Sequence, residues 1–593
     1  MFRQITDPIA GSLVLSALVA ALPLIVLFLM IGVFRVKAPK AVFAALVLSI
    51  VLAVVGWKMP LGQALSGTAE GIVFGLFPIL WILVNALWVY RLTVATPWFE
   101  VLGQTIRSVS RDHRVLAILI AFAFGALLEA LAGFGAPVAI AAAMLIAAGM
   151  KPLKSAVVAL IANTAPVAFG AMGAPIIALN GVTKIPVDTL AKMAGREGII
   201  ALVVPLLLVF IVDGRRGLRQ TWPVALVAGV VFSMSQFLAS NYMAFALTDV
   251  IASVVTIGVI VAMMRFWQPT QIIGSTEITD EAQTSQLVPA GAAVGVAGAT
   301  TARSPRYSAS RSVTEAVAGA ATAGTGANAA NPGVENAARP SGRHILMAVA
   351  PYLIIIAVFS IAQIPPVATW LTANVGRSLR WPPLHVVSSH GKAVAAEKFT
   401  FSQTTGTLLL VSGLATISLY KVSAVKGWRI YKDGVYALRW TIVTVSLMLA
   451  LSYVMNLSGS YVMNLSGQTT TMGLALAATG AAFAVLSPVL GWIGTALTGS
   501  DTSSNALFGN LQVTAATQTG LSPVLMAVSN STAGALGKMV SLQNLAVAAA
   551  AAALVGGENI LFRKMLWWSL ALLALLAGFI LLQSTSILGW MVP

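Results

Sequence analysis

The chain has 593 residues, 58% of them hydrophobic and only 9% charged. Soluble domains carry about 25% charged residues, so this composition excludes a soluble enzyme with an appended anchor and predicts a polytopic membrane protein. The net charge of +17 sits in short Lys/Arg clusters between apolar runs, a pattern of bilayer orientation rather than nucleic-acid binding. With no cysteine, disulfides, thiolate metal sites and cysteine nucleophiles are excluded.

The first apolar run, 11–34, lacks a small-residue cleavage site and reads as a retained helix. Further spans are predicted at 41–57, 71–90, 115–131, 155–179, 197–213, 221–241 and 246–264. After a break come 344–363, 403–420, 435–456, 471–496, 521–555 and 565–591, giving 12 to 14 crossings of an all-α membrane protein. Basic clusters (Arg35, Lys37 and Lys40; Arg107, Arg111 and Arg114; Arg215, Arg216 and Arg219; Lys421, Lys426, Arg429 and Lys432; Arg563 and Lys564) can all be cytoplasmic if both termini face outward.

Residues 268–343 are rich in Ala, Gly, Thr and Ser and carry five of the 18 acids, so they read as a disordered cytoplasmic linker. It separates an N-terminal membrane half, 1–267, from a C-terminal half, 344–593. The polar stretch 372–398 reads as an external loop. SYVMNLSG occurs twice in tandem, at 452–459 and 460–467, and the extra copy is expected to bulge into a loop.

Charges that cannot reach water carry the functional information in such a chain. Glu129 lies in GALLEALAGFGAP and Asp501 in GTALTGSDTSSNALF. A charge at the bilayer centre costs at least ~2.5–3.5 kcal/mol and needs a partner or a wet cavity. Gly133, Gly135 and Pro137 follow Glu129 where a helix would break, and Asp501 shares a polar island with Ser503 and Asn505. Broken helices present free N–H groups to anions.

Two further islands are Asn163-Thr164, trailed by Gly170, Gly173 and Pro175, and Ser529-Asn530-Ser531-Thr532, trailed by Lys538. Glu129 precedes Gly149-x-x-Pro152 by 20 residues, and Asp501 precedes Gly520-x-x-Pro523 by 19, which suggests two repeat halves with re-entrant or broken helices. Lys538 reads as a cationic partner for a substrate carboxylate or for Asp501, with Arg196 a weaker candidate. The four histidines fall in loops or at span ends, so coupled protons would need a desolvated carboxylate, and Glu129 among leucines and alanines is the better carrier.

FGALLEALAGFGAPVAI (124–140), NTAPVAFGAMGAPI (163–176), LTGSDTSSNALF (497–508) and GKM (537–539) closely resemble the L-lactate permease family. The resemblance implies a bacterial inner-membrane, proton-coupled importer of lactate, L or D, and often glycolate, without cofactor or metal. The Asn-Thr and Ser-Asn-Ser-Thr motifs also resemble a signature of the wider ion transporter superfamily that caps re-entrant hairpins. That likeness implies substrate contact by Asn163, Thr164, Asn530, Ser531 and Thr532. The expected partners are a small 2-hydroxy monocarboxylate, protons and the lipid bilayer. A sodium-coupled carboxylate or dicarboxylate carrier is the alternative. An intramembrane enzyme is disfavoured because no H-E-x-x-H occurs and no histidine is buried beside a serine.

Overall fold

A computed structural model describes residues 7–133, 135–274, 341–374, 378–380, 398–400, 404–457, 467–554 and 556–593. Within them the chain is a bundle of apolar helices, with one small antiparallel pairing of Ser378–Arg380, inside the expected external loop of 372–398, with Lys398–Thr400 at its end. Leu18, Phe43, Val51, Leu65, Met234 and Trp567 are all exposed on helix surfaces, as expected where hydrocarbon is the solvent. The helix run His113–Leu131 is buried throughout, so the segment that carries Glu129 lies at the centre of the bundle.

Among the described residues nine helices are long and apolar enough to cross a bilayer, or eleven if each of two bent pairs is one span. This count is below the expected 12 to 14 crossings for two reasons. The runs 155–179 and 521–555 are interrupted, the first by a 66° bend, the second between Pro523–Lys538 and Leu542–Ala551. Thr405–Tyr420 has 16 residues, about 24 Å at 1.5 Å per residue, shorter than a ~30 Å hydrocarbon core.

The 44-residue element Ile199–Tyr242 is two antiparallel arms that turn at Gly214 (φ +62°, ψ −147°). Ser233 Oγ donates to Gly198 O at 3.0 Å, and a Cβ on Gly229 would lie 2.5 Å from Leu202 O. A straight helix would hold residues 202 and 229 about 40 Å apart.

Below that turn lies a polar clamp. Arg114 Nε and Nη2 donate to Asp112 (3.0 and 2.6 Å), Nη1 to Asp213 (3.1 Å) and Gln220 (2.8 Å), and Nη2 also to Gln271 O (2.5 Å). Arg114 is fully buried, so it acts inside the fold rather than as one of the orienting surface charges expected from its cluster. The clamp also trims the expected linker. Residues 268–274 are anchored through Gln271 and Ile273, whose N–H donates to Asp112 Oδ2 at 3.2 Å. At its other end Gly342–Gln363 is already helix, and residues 275–340 lie outside the described residues. The first octad copy runs as helix to Leu457, and most of the second falls outside the described residues.

Candidate functional site

Glu129 ends the first half's central span. After Leu131 the chain turns at Gly133 (φ +54°) and Gly135 (φ +85°), and Pro137 sits in the first turn of Ala136–Ala147. These left-handed angles are open to glycine without steric cost. Ala136–Ala147 and Pro152–Ala162 form a hairpin that turns at Gly149. Each arm is only about 17–18 Å long, so the hairpin cannot span the bilayer.

The hairpin ends at Asn163, and the chain re-enters as Gly170–Thr183 after the 66° bend. Ala171, Met172 and Gly173 are consecutively left-handed (φ +45°, +56° and +80°), at about 1–2 kcal/mol for each non-glycine. A Cβ on Gly170 would lie 3.1 Å from Glu129 Oε1, so the absent side chain lets this bend close onto the carboxylate. Asp249 buttresses the same bend: Gln236 Nε2 donates to Asp249 Oδ1 at 2.8 Å and to Ala165 O at 3.4 Å.

In the second half Phe483–Thr498 stops at Gly499 (φ +76°), and Ser500 caps Asp501–Thr519 by accepting from Ser503 N at 3.3 Å. Asp501 occupies the first position of that helix, where free N–H groups favour an anion. The chain turns at Gly520 (φ +74°) and returns as Pro523–Lys538. This hairpin's arms have 19 and 16 residues against 12 and 11 in the first. Glu129 precedes its break whereas Asp501 follows its own, so the matched sequence spacings do not make the two acids structurally equivalent.

Pro523–Lys538 runs against Phe483–Thr498 in backbone contact. A Cβ on Gly491 would lie 2.2 Å from Asn530 O, and one on Gly537 2.2 Å from Trp492 O. Small residues make such approach possible in membranes.

Four of the expected polar residues, Asp501, Asn505, Asn530 and Ser531, lock this hairpin together. Ser531 Oγ donates to Asp501 Oδ2 (2.6 Å), and Asn505 Nδ2 donates to Ser531 Oγ (3.0 Å) and across to Pro175 O of the first half (3.1 Å). Asn530 Nδ2 donates to Asn505 Oδ1 (2.9 Å), and Gln512 Nε2 donates to Asn530 Oδ1 (3.1 Å). All are buried, so each bond satisfies groups that would otherwise be costly. Ser503 is also buried in this first turn.

Lys538 corrects one expectation. Its ammonium is ion-paired with Glu129 Oε1, not with Asp501, and both side chains are buried, at 7% and 3% exposure. Glu129 Oε2 has no hydrogen-bond partner. Beside this pair is a crevice too narrow to admit a water molecule, lined by Val138, Leu160, Asn163, Thr164, Ala535, Lys538, Met539 and Asn544. It joins the end of the first hairpin to the end of the second. The buried Oδ1 atoms of Asn163 and Asn544 are both unpartnered. Thr164 Oγ1 donates to Ile161 O at 2.7 Å, while Asn544 Nδ2 donates to Lys538 O at 2.9 Å.

The candidates therefore divide. Asn163, Thr164 and Lys538 line the crevice, with Glu129 held beside it by Lys538, whereas Asp501, Asn505, Asn530 and Ser531 form the adjoining network. Thr532 bonds instead to Glu197, a buried acid that sequence reasoning passed over. Arg196, the neighbour it chose, faces away: its Nε donates to Asn241 Oδ1 (3.1 Å) and its Nη1 to Met591 O (2.8 Å). Asp249, Gln236, Gln512 and Asn544 were also missed. Glu197 and Asp249 sit near span ends, where an acid reads as solvated, and only the folded packing reveals that they are not.

The L-lactate permease family model matches residues 16–307 and 320–587. An L-lactate permease of Bacillus subtilis (strain 168) is 36% identical over 616 residues, with 100% of each chain covered. Glycolate permease GlcA of Escherichia coli (strain K12) is 36% identical over 596 residues, with 98% of each covered. Among solved structures, Neisseria gonorrhoeae MtrF aligns with 10% identity and a TM-score of 0.47, over 94% of this chain and 97% of its own. On the family match and the full-length relatives, the chain belongs to the L-lactate permease family.

Proposed function

We propose that the protein imports L-lactate, and with it D-lactate and glycolate, by proton symport across a bacterial inner membrane. The observation that carries this reading is the buried Glu129–Lys538 ion pair beside a crevice lined by Asn163, Thr164 and Asn544. The relatives' names support the substrate class, since lactate and glycolate share a carboxylate next to a hydroxyl.

Charge balance gives the coupling. Lys538 is held by Glu129 until a substrate carboxylate takes its place on the ammonium. Glu129 then has no counter-ion in a low-dielectric interior and takes up a proton. Anion and proton enter together, and the buried net charge stays constant. Asn163 and Asn544 each offer an unpartnered amide oxygen, and one of the two accepts the single hydrogen of the substrate hydroxyl. The network of Asp501, Ser503, Asn505, Asn530 and Ser531 keeps the second hairpin rigid behind Lys538. The breaks at Gly133, Gly135, Pro137, Gly170, Gly173 and Pro175 let the first half close on Glu129. The halves 1–267 and 344–593 act as one machine, linked through 268–343.

The test is uptake into proteoliposomes driven by a pH gradient, with L-lactate, D-lactate, glycolate and succinate as competitors. Monocarboxylates should compete and succinate should not; uptake indifferent to the gradient would refute symport. A sodium-coupled reading draws on one observation: Asp501 Oδ1 and Thr495 Oγ1 are buried and unpartnered, and both crowd the space where a Cβ on Gly534 would lie, at 2.2 and 2.7 Å. Replacing sodium by choline at fixed pH separates the two, and uptake should persist.

A further inference from the structure

Glu197 lies at the junction between Val187–Arg196 and Ile199–Tyr242 and is only 3% exposed. Thr532 Oγ1 is hydrogen-bonded to its Oε2, while its Oε1 is buried without a partner. No ion pair reaches it among the described residues. On its own helix Asp188 is exposed, Lys192 is half-buried and Arg196 is turned to Asn241 and Met591 O. On Ile199–Tyr242 the charged groups Asp213, Arg215, Arg216 and Arg219 cluster at the Gly214 turn, about 25 Å along the helix. Gly170–Thr183 has no titratable residue, with Lys184 following it. On the facing helix Pro523–Lys538 the only titratable group is Lys538, which is engaged by Glu129; Asp501 lies behind Ser531.

A buried carboxyl with no cation avoids the cost of its charge by holding a proton. The hydroxyl it meets can serve either form. Thr532 has one hydrogen and three acceptors in reach, Glu197 Oε2, Val528 O at 3.2 Å and Ser529 O at 3.5 Å. With Glu197 ionised, Thr532 donates to the carboxylate. With Glu197 protonated, the carboxyl O–H donates to Thr532 Oγ1, and the threonine hydrogen turns to Val528 O. One proton is gained or lost, and the only other change is the turn of the Thr532 hydroxyl hydrogen.

We propose that Glu197 is a second proton-binding side chain of the transport cycle, read out by Thr532 on the helix that also carries Ser531 and Lys538. This rests on the proton-coupled transporter reading above. One helix thereby touches three buried carboxyls: Asp501 through Ser531, Glu197 through Thr532, and Glu129 through Lys538. Protonation of Glu197 makes its contact with that helix neutral, so the helix can leave Glu197 without stranding a charge in the apolar interior.

The experiment uses the full-length protein in proteoliposomes. L-lactate exchange at equal internal and external pH is measured across pH, together with protons taken up per lactate during net uptake. For Glu197→Gln, an amide that donates to Thr532 as the protonated acid does, exchange should persist. Its slope of log rate against pH should fall by one proton, a tenfold change per pH unit, and Glu197→Asp should restore that slope. A Glu197→Gln protein with the wild-type slope and wild-type proton count overturns the proposal. If Glu197→Gln does not fold, Thr532→Val is used, and an unshifted pH midpoint for exchange overturns it equally. Failure here with wild-type uptake still driven by the pH gradient leaves the transporter reading standing; wild-type uptake indifferent to that gradient removes both.

Discussion

Replacing Gly491 with alanine tests whether helix contact positions the polar network. The added Cβ would lie 2.2 Å from Asn530 O and 2.6 Å from its Cα. Both are backbone atoms, which cannot retreat as a side-chain tip can. To regain a tolerable separation of 3.0 Å the helices must part by about 0.8 Å. Such overpacking costs about 1–3 kcal/mol, equivalent to a fall of only about 1–2 °C in unfolding temperature for a chain of 593 residues. The effect on transport should be larger than that fall suggests. Ser487 Oγ donates to Met526 O at 3.2 Å across the same two helices. That bond would stretch toward about 4.0 Å, beyond hydrogen-bond range, while Asn530 would be displaced with its helix from the network around Asp501. The assay pairs thermal unfolding in detergent with L-lactate uptake in proteoliposomes, both normalised to folded protein. Gly578→Ala is the control, because nothing lies within 4 Å of its added Cβ and alanine favours the helix by up to ~1 kcal/mol. If Gly491→Ala matched wild type in stability and uptake, the close-packed interface would not be what holds the network.

The Arg114 clamp should be worth far more than a surface pair. Arg114→Gln leaves Asp112 and Asp213 without their buried cation and should cost about 3–5 kcal/mol, while Arg107→Gln, whose partner Glu100 is 55% exposed, should cost under ~1 kcal/mol; thermal unfolding compares them. A double-mutant cycle should find Glu129 and Lys538 coupled. Lys538→Met alone should be strongly destabilising, and adding Glu129→Gln should recover much of that loss in unfolding temperature, although neither variant concentrates lactate.

The sequence made the membrane class plain because 9% charge admits little else. It also exposed Glu129, Asp501 and Lys538, because each interrupts an apolar run. The breaks were legible for the same kind of reason: Gly133, Gly135 and Gly499 adopt backbone angles that ordinary residues avoid. What it could not supply was pairing across distance. Lys538 and Glu129 are 409 positions apart, and no local pattern chooses Glu129 over Asp501 as its partner. Burial at helix ends was equally hidden. Arg196 and Glu197 are adjacent, yet the bend between their helices sends one to Met591 O and the other to Thr532. Fewer long apolar helices stand among the described residues than the expected crossings, because hydropathy records apolar length but not where a helix bends back.

The most direct measurement is made on Glu129→Gln in proteoliposomes, comparing L-lactate accumulation under an inward proton gradient with lactate–lactate exchange at equal pH. The account predicts that accumulation collapses to the equilibrium level while exchange continues. A Glu129→Gln protein that still concentrates lactate as wild type does would contradict it.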